Sequence, residues 1–202
     1  MRGLADILIA QAEAYSMLET IAVVLAVLYL VLAIQQNIWC WLCAGVSTAI
    51  FVYLFFDVRL YMEAVLNIFY FVMAIYGWYS WYFGRSGGHD LLVVSWSPKS
   101  HMRAIAAVVV LSLASGYLLD TYTLAAFPYV DSLTSWGAVW ATYLVARKVL
   151  ENWWYWLVID TTMIYVFWVK DLELTAVLYV IYLVMIPIGL ISWTRSWRDA
   201  HA

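Results

Sequence analysis

The sequence predicts an all-α membrane protein: seven transmembrane helices in a 3+1+3 arrangement, two parallel three-helix repeats joined by a single linking helix. Composition is the first reason. Of 202 residues, 67% are hydrophobic and only 11% charged, with a mean hydropathy of +0.87; no soluble core needs so much apolar surface, and a bilayer does. The second reason is a duplication. Residues 60–81, LYMEAVLNIFYFVMAIYGWYSW, lie over residues 172–193, LELTAVLYVIYLVMIPIGLISW, without a gap, and ten of the 22 positions are identical. Asn37-x-Trp39-x-Trp41-Leu42 also reads like Asn152-x-Trp154-x-Trp156-Leu157, and Thr20 with Tyr29-Leu30-Val31 like Thr134 with Tyr143-Leu144-Val145. Two copies of a three-segment apolar unit are the mark of a carrier whose substrate sits between repeats.

Apolar runs of about 20 residues, enough to cross a bilayer, cover 18–35, 38–56, 60–83, 103–119, 132–149, 153–169 and 173–193. Polar breaks separate them. Spans one to three pair with spans five to seven, and the fourth stands alone. Three helices reverse the side of the chain, so one extra helix lets the second triplet enter in the same direction as the first. No domain boundary is evident, so 1–202 reads as one transmembrane domain with repeats over about 18–83 and 132–193 and the linking helix over about 103–119. Residues 1–17 are too short and polar to span, and they read as an interfacial helix or a tail. They lack the pattern of a cleavable signal.

Arginine and lysine give the orientation. Arg85, Lys99, Arg103, Arg147, Lys148, Arg195 and Arg198 fall on one side, against Arg2, Arg59 and Lys170 on the other. That places the C-terminus in the cytoplasm and the N-terminus outside. A net charge of −3 gives no hint of a nucleic-acid partner. Cys40 and Cys43 form a C-x-x-C within an apolar span, where small-residue packing explains them better than redox or zinc chemistry. His89, His101 and His201 read as loop or tail residues, so neither metal nor cofactor is expected.

Ionisable and amide side chains inside spans are costly and mark cavities or partners. Asp160 is the clearest: mid-span, followed by Thr161 and Thr162, with no lysine or arginine at its depth and Gly45 as its apparent repeat partner. Glu63 and Asn67 are one helical turn apart, on one face with Tyr70. Asn152 opens the sixth span before Trp153, either as a helix cap or as a site residue. Trp136, Trp140 and Tyr143 form an i, i+4, i+7 stripe that reads equally as pocket wall or helix packing. Carboxylates and amides among aromatic rings, with no cation at their depth, suit a small, flat, positively charged molecule.

Several motifs together resemble the Pnu-type vitamin transporter family: Arg147-Lys148-x-x-Glu151-Asn152-Trp153-x-x-Trp156, Leu60-Tyr61, Tyr76-Gly77-Trp78-Tyr79-x-Trp81, and Phe127-Pro128-x-x-Asp131-Ser132. The likeness runs from about residue 18 to 195. It implies a SWEET-like 3+1+3 fold, a homotrimer in a bacterial cytoplasmic membrane, and a vitamin site between the triplets that includes Asn67, Asn152, Trp153 and Asp160. It further implies facilitated diffusion by alternating access, with the product trapped by phosphorylation in the cytoplasm. Family members carry nicotinamide riboside or thiamine. Asn67 and Asp160 stand where nicotinamide riboside carriers often have glutamine and asparagine; the extra acid favours thiamine, with nicotinamide riboside as the alternative.

Rival classes fare worse. A retinal protein needs a lysine within a span, an intramembrane enzyme needs a nucleophile with its base or metal ligands there, and neither is present. A non-transporting receptor or scaffold is the alternative of another class.

Overall fold

The computed structural model describes residues 17–57, 61–84, 91–123, 126–170 and 173–201, with the side chains of 61–63 and 173–174 outside the description. Glu63 and Glu173 therefore keep only their places on helices. His89 and the question of an N-terminal interfacial helix lie outside the described residues. Seven helices occupy the described residues: α1 (Met17–Ile34), α2 (Trp39–Asp57), α3 (Tyr61–Phe83), α4 (Pro98–Tyr122), α5 (Pro128–Ala146), α6 (Asn152–Val169) and α7 (Glu173–Asp199). They fall into two compact units, one ending at Gly84 and the other following it.

In the first unit α1 packs on α2 and α2 on α3; in the second, α4 to α7 each pack on the next helix in sequence. Prolines at the first helical turn open α4 and α5, where the missing N–H costs nothing and the fixed φ suits a helix start. This moves the fourth helix's start back to Pro98, so His101 belongs to a helix and not to a loop.

Five helices are long and apolar enough to cross a membrane: α1, α2, α3 from Ala64, α4, and α7 from Thr175. At 19 and 18 residues, α5 and α6 are long enough at about 1.5 Å per residue but too polar for that criterion. The cause is their content. Asp131, Ser132, Thr134, Ser135 and Thr142 lie on α5, and Asn152, Asp160, Thr161 and Thr162 on α6. The seven expected spans thus resolve into five plainly apolar helices and two polar ones, adjacent in the chain. Along the apolar helices large side chains such as Val24, Tyr53, Val110 and Val184 stand more than half exposed, as lipid-facing residues must.

The duplication is visible in the backbone of each unit. At the end of α1, Gln36 N–H donates to Ala33 O and Asn37 N–H to Leu32 O; at the end of α5, Lys148 N–H donates to Val145 O and Val149 N–H to Leu144 O. Gln36 (φ 56°) and Lys148 (φ 49°) take the left-handed conformation. Both helices therefore stop in a Schellman cap, although neither carries the usual glycine and each accepts about 1–2 kcal/mol of strain. Each cap leads at once into the next helix, Cys40 N–H donating to Asn37 O and Asn152 N–H to Val149 O.

Every pair in that match is 112 residues apart, the same spacing as α3 against α7. Reading Asn37 and Trp41 as the counterparts of Asn152 and Trp156 is therefore wrong by three residues. The true counterparts are Cys40 with Asn152 and Trp41 with Trp153, all four buried. A slip of three positions keeps nearly the same helix face, so a tryptophan-rich stretch matches itself almost as well out of register. The Thr20/Thr134 and Tyr29/Tyr143 pairing is likewise out of register, by two residues.

Aromatic packing follows the corrected register. Trp41 meets Trp81 edge-on at 5.6 Å and 88°, and Trp153 meets Trp193 at 5.5 Å and 90°. Gly77 and Gly189 lie against the same two rings: a Cβ there would come within 2.3 Å of Trp41 and Trp153 respectively. Gly189 is thus a seat for Trp153. α7 runs on through Pro187.

Candidate functional site

Asp160 is 4% exposed on α6, and it makes no hydrogen bond or ion pair with any described residue. Its neighbours do not satisfy it. Thr161 and Thr162 spend their hydroxyls on Leu157 O and Val158 O of their own helix, at 2.7 and 2.8 Å. Tyr182 of α7 lies within electrostatic range of the carboxylate, beside Tyr179 at 5.7 Å, which in turn meets Phe167 at 5.3 Å. A buried acid beside aromatic rings, with no basic partner among the described residues, is expensive to hold charged, and a proton or a cationic ligand offsets the cost. In the first repeat the corresponding residue is Thr48, not Gly45, and it bonds harmlessly to Ala44 O at 2.8 Å. The acid belongs to one repeat alone.

Asn152 and Trp153 fill the first turn of α6. Asn152 does not cap the helix: its Nδ2 donates back to Val149 O at 2.7 Å, while its Oδ1 is buried without a hydrogen-bond partner. The Trp153 indole N–H is also buried and unmatched. So is that of Trp41 in the first repeat, which points to a packing arrangement shared by the two repeats.

The other nominated residues have different company. Trp136 donates to Ser115 Oγ of α4 at 3.1 Å. Trp140 lies 5.4 Å from Tyr143 and 6.1 Å from Trp96. Those contacts tie α5 to α4 and to the segment before it, and Asp160 is not among them. Asn67 and Tyr70 sit half-buried on α3 in the first unit, with Tyr70 within electrostatic range of Tyr29. Glu63 lies on the same helix, its side chain outside the described residues.

One cluster was not singled out by the sequence reading. Glu151, just before α6, accepts hydrogen bonds from Ser95 Oγ through Oε1 and from Trp96 N–H at 3.3 Å through Oε2. His101 Nε2 lies 3.6 Å from the same Oε2, and His101 Nδ1 is 2.9 Å from Tyr155 Oη. The Glu-Asn-Trp motif contained the signal, but His101 had been assigned to a loop.

Two repeats of apolar helices, with an acid in one of them that has no partner among the described residues, fit a multi-pass membrane carrier of a small molecule. The chain belongs to the nicotinamide mononucleotide transporter family, whose model matches residues 16–195. It is 22% identical to the nicotinamide riboside transporter PnuC of Escherichia coli, over 91% of this chain and 87% of that protein. It is 27% identical to the riboflavin/roseoflavin transporter RibM of Streptomyces davaonensis, over 88% and 85%. The fold matches the crystal structure of the vitamin B3 transporter PnuC with a TM-score of 0.73 at 22% identity, covering 95% of this chain and 86% of that one. These relatives give no support to thiamine, which the extra acid had placed first.

Proposed function

We propose that this protein carries nicotinamide riboside across a bacterial cytoplasmic membrane. The single observation behind the choice is Asp160, buried beside aromatic side chains and unpaired among the described residues, within a family whose relatives include a nicotinamide riboside transporter. The nicotinamide ring of the riboside is a flat, permanent cation. It can stack on tyrosine or tryptophan while a carboxylate supplies the counter-charge. Riboflavin is the second reading, favoured by the 27% identical relative, but its neutral ring gives a buried acid nothing to neutralise. The phosphorylated nucleotide is disfavoured because its phosphate would be repelled by the same acid. A carrier that rejects the phosphate ester also leaves it trapped inside once a cytoplasmic kinase has acted.

In this reading the units act as one 3+1+3 domain, α4 being the linking helix, and the protein assembles as a homotrimer with its N-terminus outside. The substrate-binding candidates are Asn67, Tyr70 and Glu63 of the first repeat and Asp160, Asn152 and Trp153 of the second, and access alternates between the two sides of the membrane. Trp136 and Trp140 are further candidates for the substrate site. Transport is facilitated diffusion. Proteoliposomes should take up labelled nicotinamide riboside until inside and outside concentrations are equal, with no response to sodium or proton gradients. Accumulation above the outside concentration under an imposed ion gradient would contradict this reading.

A further inference from the structure

The Glu151 cluster is one the carrier reading does not use. The segment 91–97 is held to the corner between α5 and α6 in two ways. Val94 N–H donates to Lys148 O at 3.0 Å, and Leu150 N–H to Val94 O at 2.8 Å, a two-bond parallel bridge. Beside it, Glu151 takes Ser95 Oγ and Trp96 N–H on its two carboxylate oxygens. Glu151 is the residue preceding α6 and makes no side-chain cap with that helix; its acceptors are turned to another segment. His101, in the first turn of α4, faces Glu151 with one ring nitrogen and Tyr155 with the other. Glu151 and Tyr155 are four residues apart, so a single face of α6 grips the start of α4.

Among the described residues the first repeat shows no such grip. The counterpart of Glu151 is Trp39, more than half exposed and packed on Trp78 at 5.6 Å. The device is therefore confined to the repeat that carries Asp160. The two residues following Glu151 are Asn152 and Trp153, whose Oδ1 and Nε1 are buried without partners. Buried polar atoms left unmatched normally find a water or a ligand, and here the first turn of α6 would have to move for one to reach them.

We propose that Glu151 is a positioning residue for transport: it latches segment 91–97 and the start of α4 onto α6, and this latch must release in each cycle before the first turn of α6 can open to the substrate. The inference rests on the chain being a carrier and not on which vitamin it carries. The latch is built of a carboxylate that accepts from two neutral donors, Ser95 Oγ and Trp96 N–H, with the His101 ring beside it. Such contacts are individually worth only about 1–3 kcal/mol, which is weak enough to open and close on the time scale of gating.

The test is a reversible lock. Ser95→Cys and Glu151→Cys are combined with Cys40→Ala and Cys43→Ala, and the pair is joined by a short bis-methanethiosulfonate linker. Uptake of labelled nicotinamide riboside should fall about tenfold or more while the linker is in place and recover on reduction. Binding of the same compound in detergent should change by no more than about threefold, the mark of a lost step and not a lost site. Full uptake with the linker verified in place by mass spectrometry would overturn the proposal. Glu151→Gln gives a second reading without a linker. It should alter the uptake rate about threefold or more at unchanged affinity, whereas a change confined to affinity would also overturn it. Failure of the unmodified protein to carry nicotinamide riboside would count against the substrate assignment, and the lock is then read with riboflavin.

Discussion

Gly189 lies directly under the indole of Trp153, and Gly77 stands to Trp41 in the same way. A methyl group at either glycine would meet ring carbons at 2.3 Å, far inside van der Waals contact, and the rings are buried and held edge-on by Trp193 and Trp81. Gly189→Ala and Gly77→Ala should each cost about 1–3 kcal/mol, read as a lower unfolding midpoint in detergent. Gly45→Ala is the contrast: its Cβ would sit 3.8 Å from Ala74, ordinary contact, and stability should hardly change.

Much of this was legible in the sequence. The helices follow from the apolar runs, and the match of α3 to α7 from ten identities. Asp160 stands out as an acid with no basic residue at its depth. The register of α2 against α6 was not legible, because residues three apart on a helix share a face and tryptophans recur at that spacing. The Schellman caps were hidden as well, since Gln36 and Lys148 stand where a glycine would have announced the turn. The grip of Glu151 on Ser95 and His101 joins residues fifty or more positions apart, and no local pattern encodes it. The wall-or-packing question posed by Trp136 and Trp140 needed partners to answer: Ser115 and Trp96.

Asp160→Asn should keep the shape of the site and remove its charge. Loss of a charge-assisted contact costs about 1.5–3 kcal/mol, so affinity for nicotinamide riboside should fall roughly 10- to 150-fold. Asp199→Asn removes an exposed charge at the end of α7, where solvent screens it, and should shift affinity by less than about 1 kcal/mol. Calorimetric titration of the two variants, both checked for folding, separates a ligand-facing acid from a structural one; equal effects would make Asp160 structural.

Pro187 removes one backbone hydrogen bond from within α7, and the first repeat has Ile75 at the corresponding position. Pro187→Ala should leave equilibrium binding within about 1 kcal/mol while slowing net uptake, because a restored hydrogen bond stiffens a helix that has to flex during the cycle. Stopped uptake assays beside binding titrations check this. Unchanged rates would make the proline a fixed feature of the helix.

The measurement that bears most directly on the account is a side-by-side binding titration of the purified protein with nicotinamide riboside, nicotinamide mononucleotide, riboflavin and thiamine. The account predicts that nicotinamide riboside binds tightest, by about tenfold or more over each of the others, a difference of roughly 1.4 kcal/mol. Tighter binding of riboflavin or thiamine, or no measurable binding of nicotinamide riboside, would contradict it.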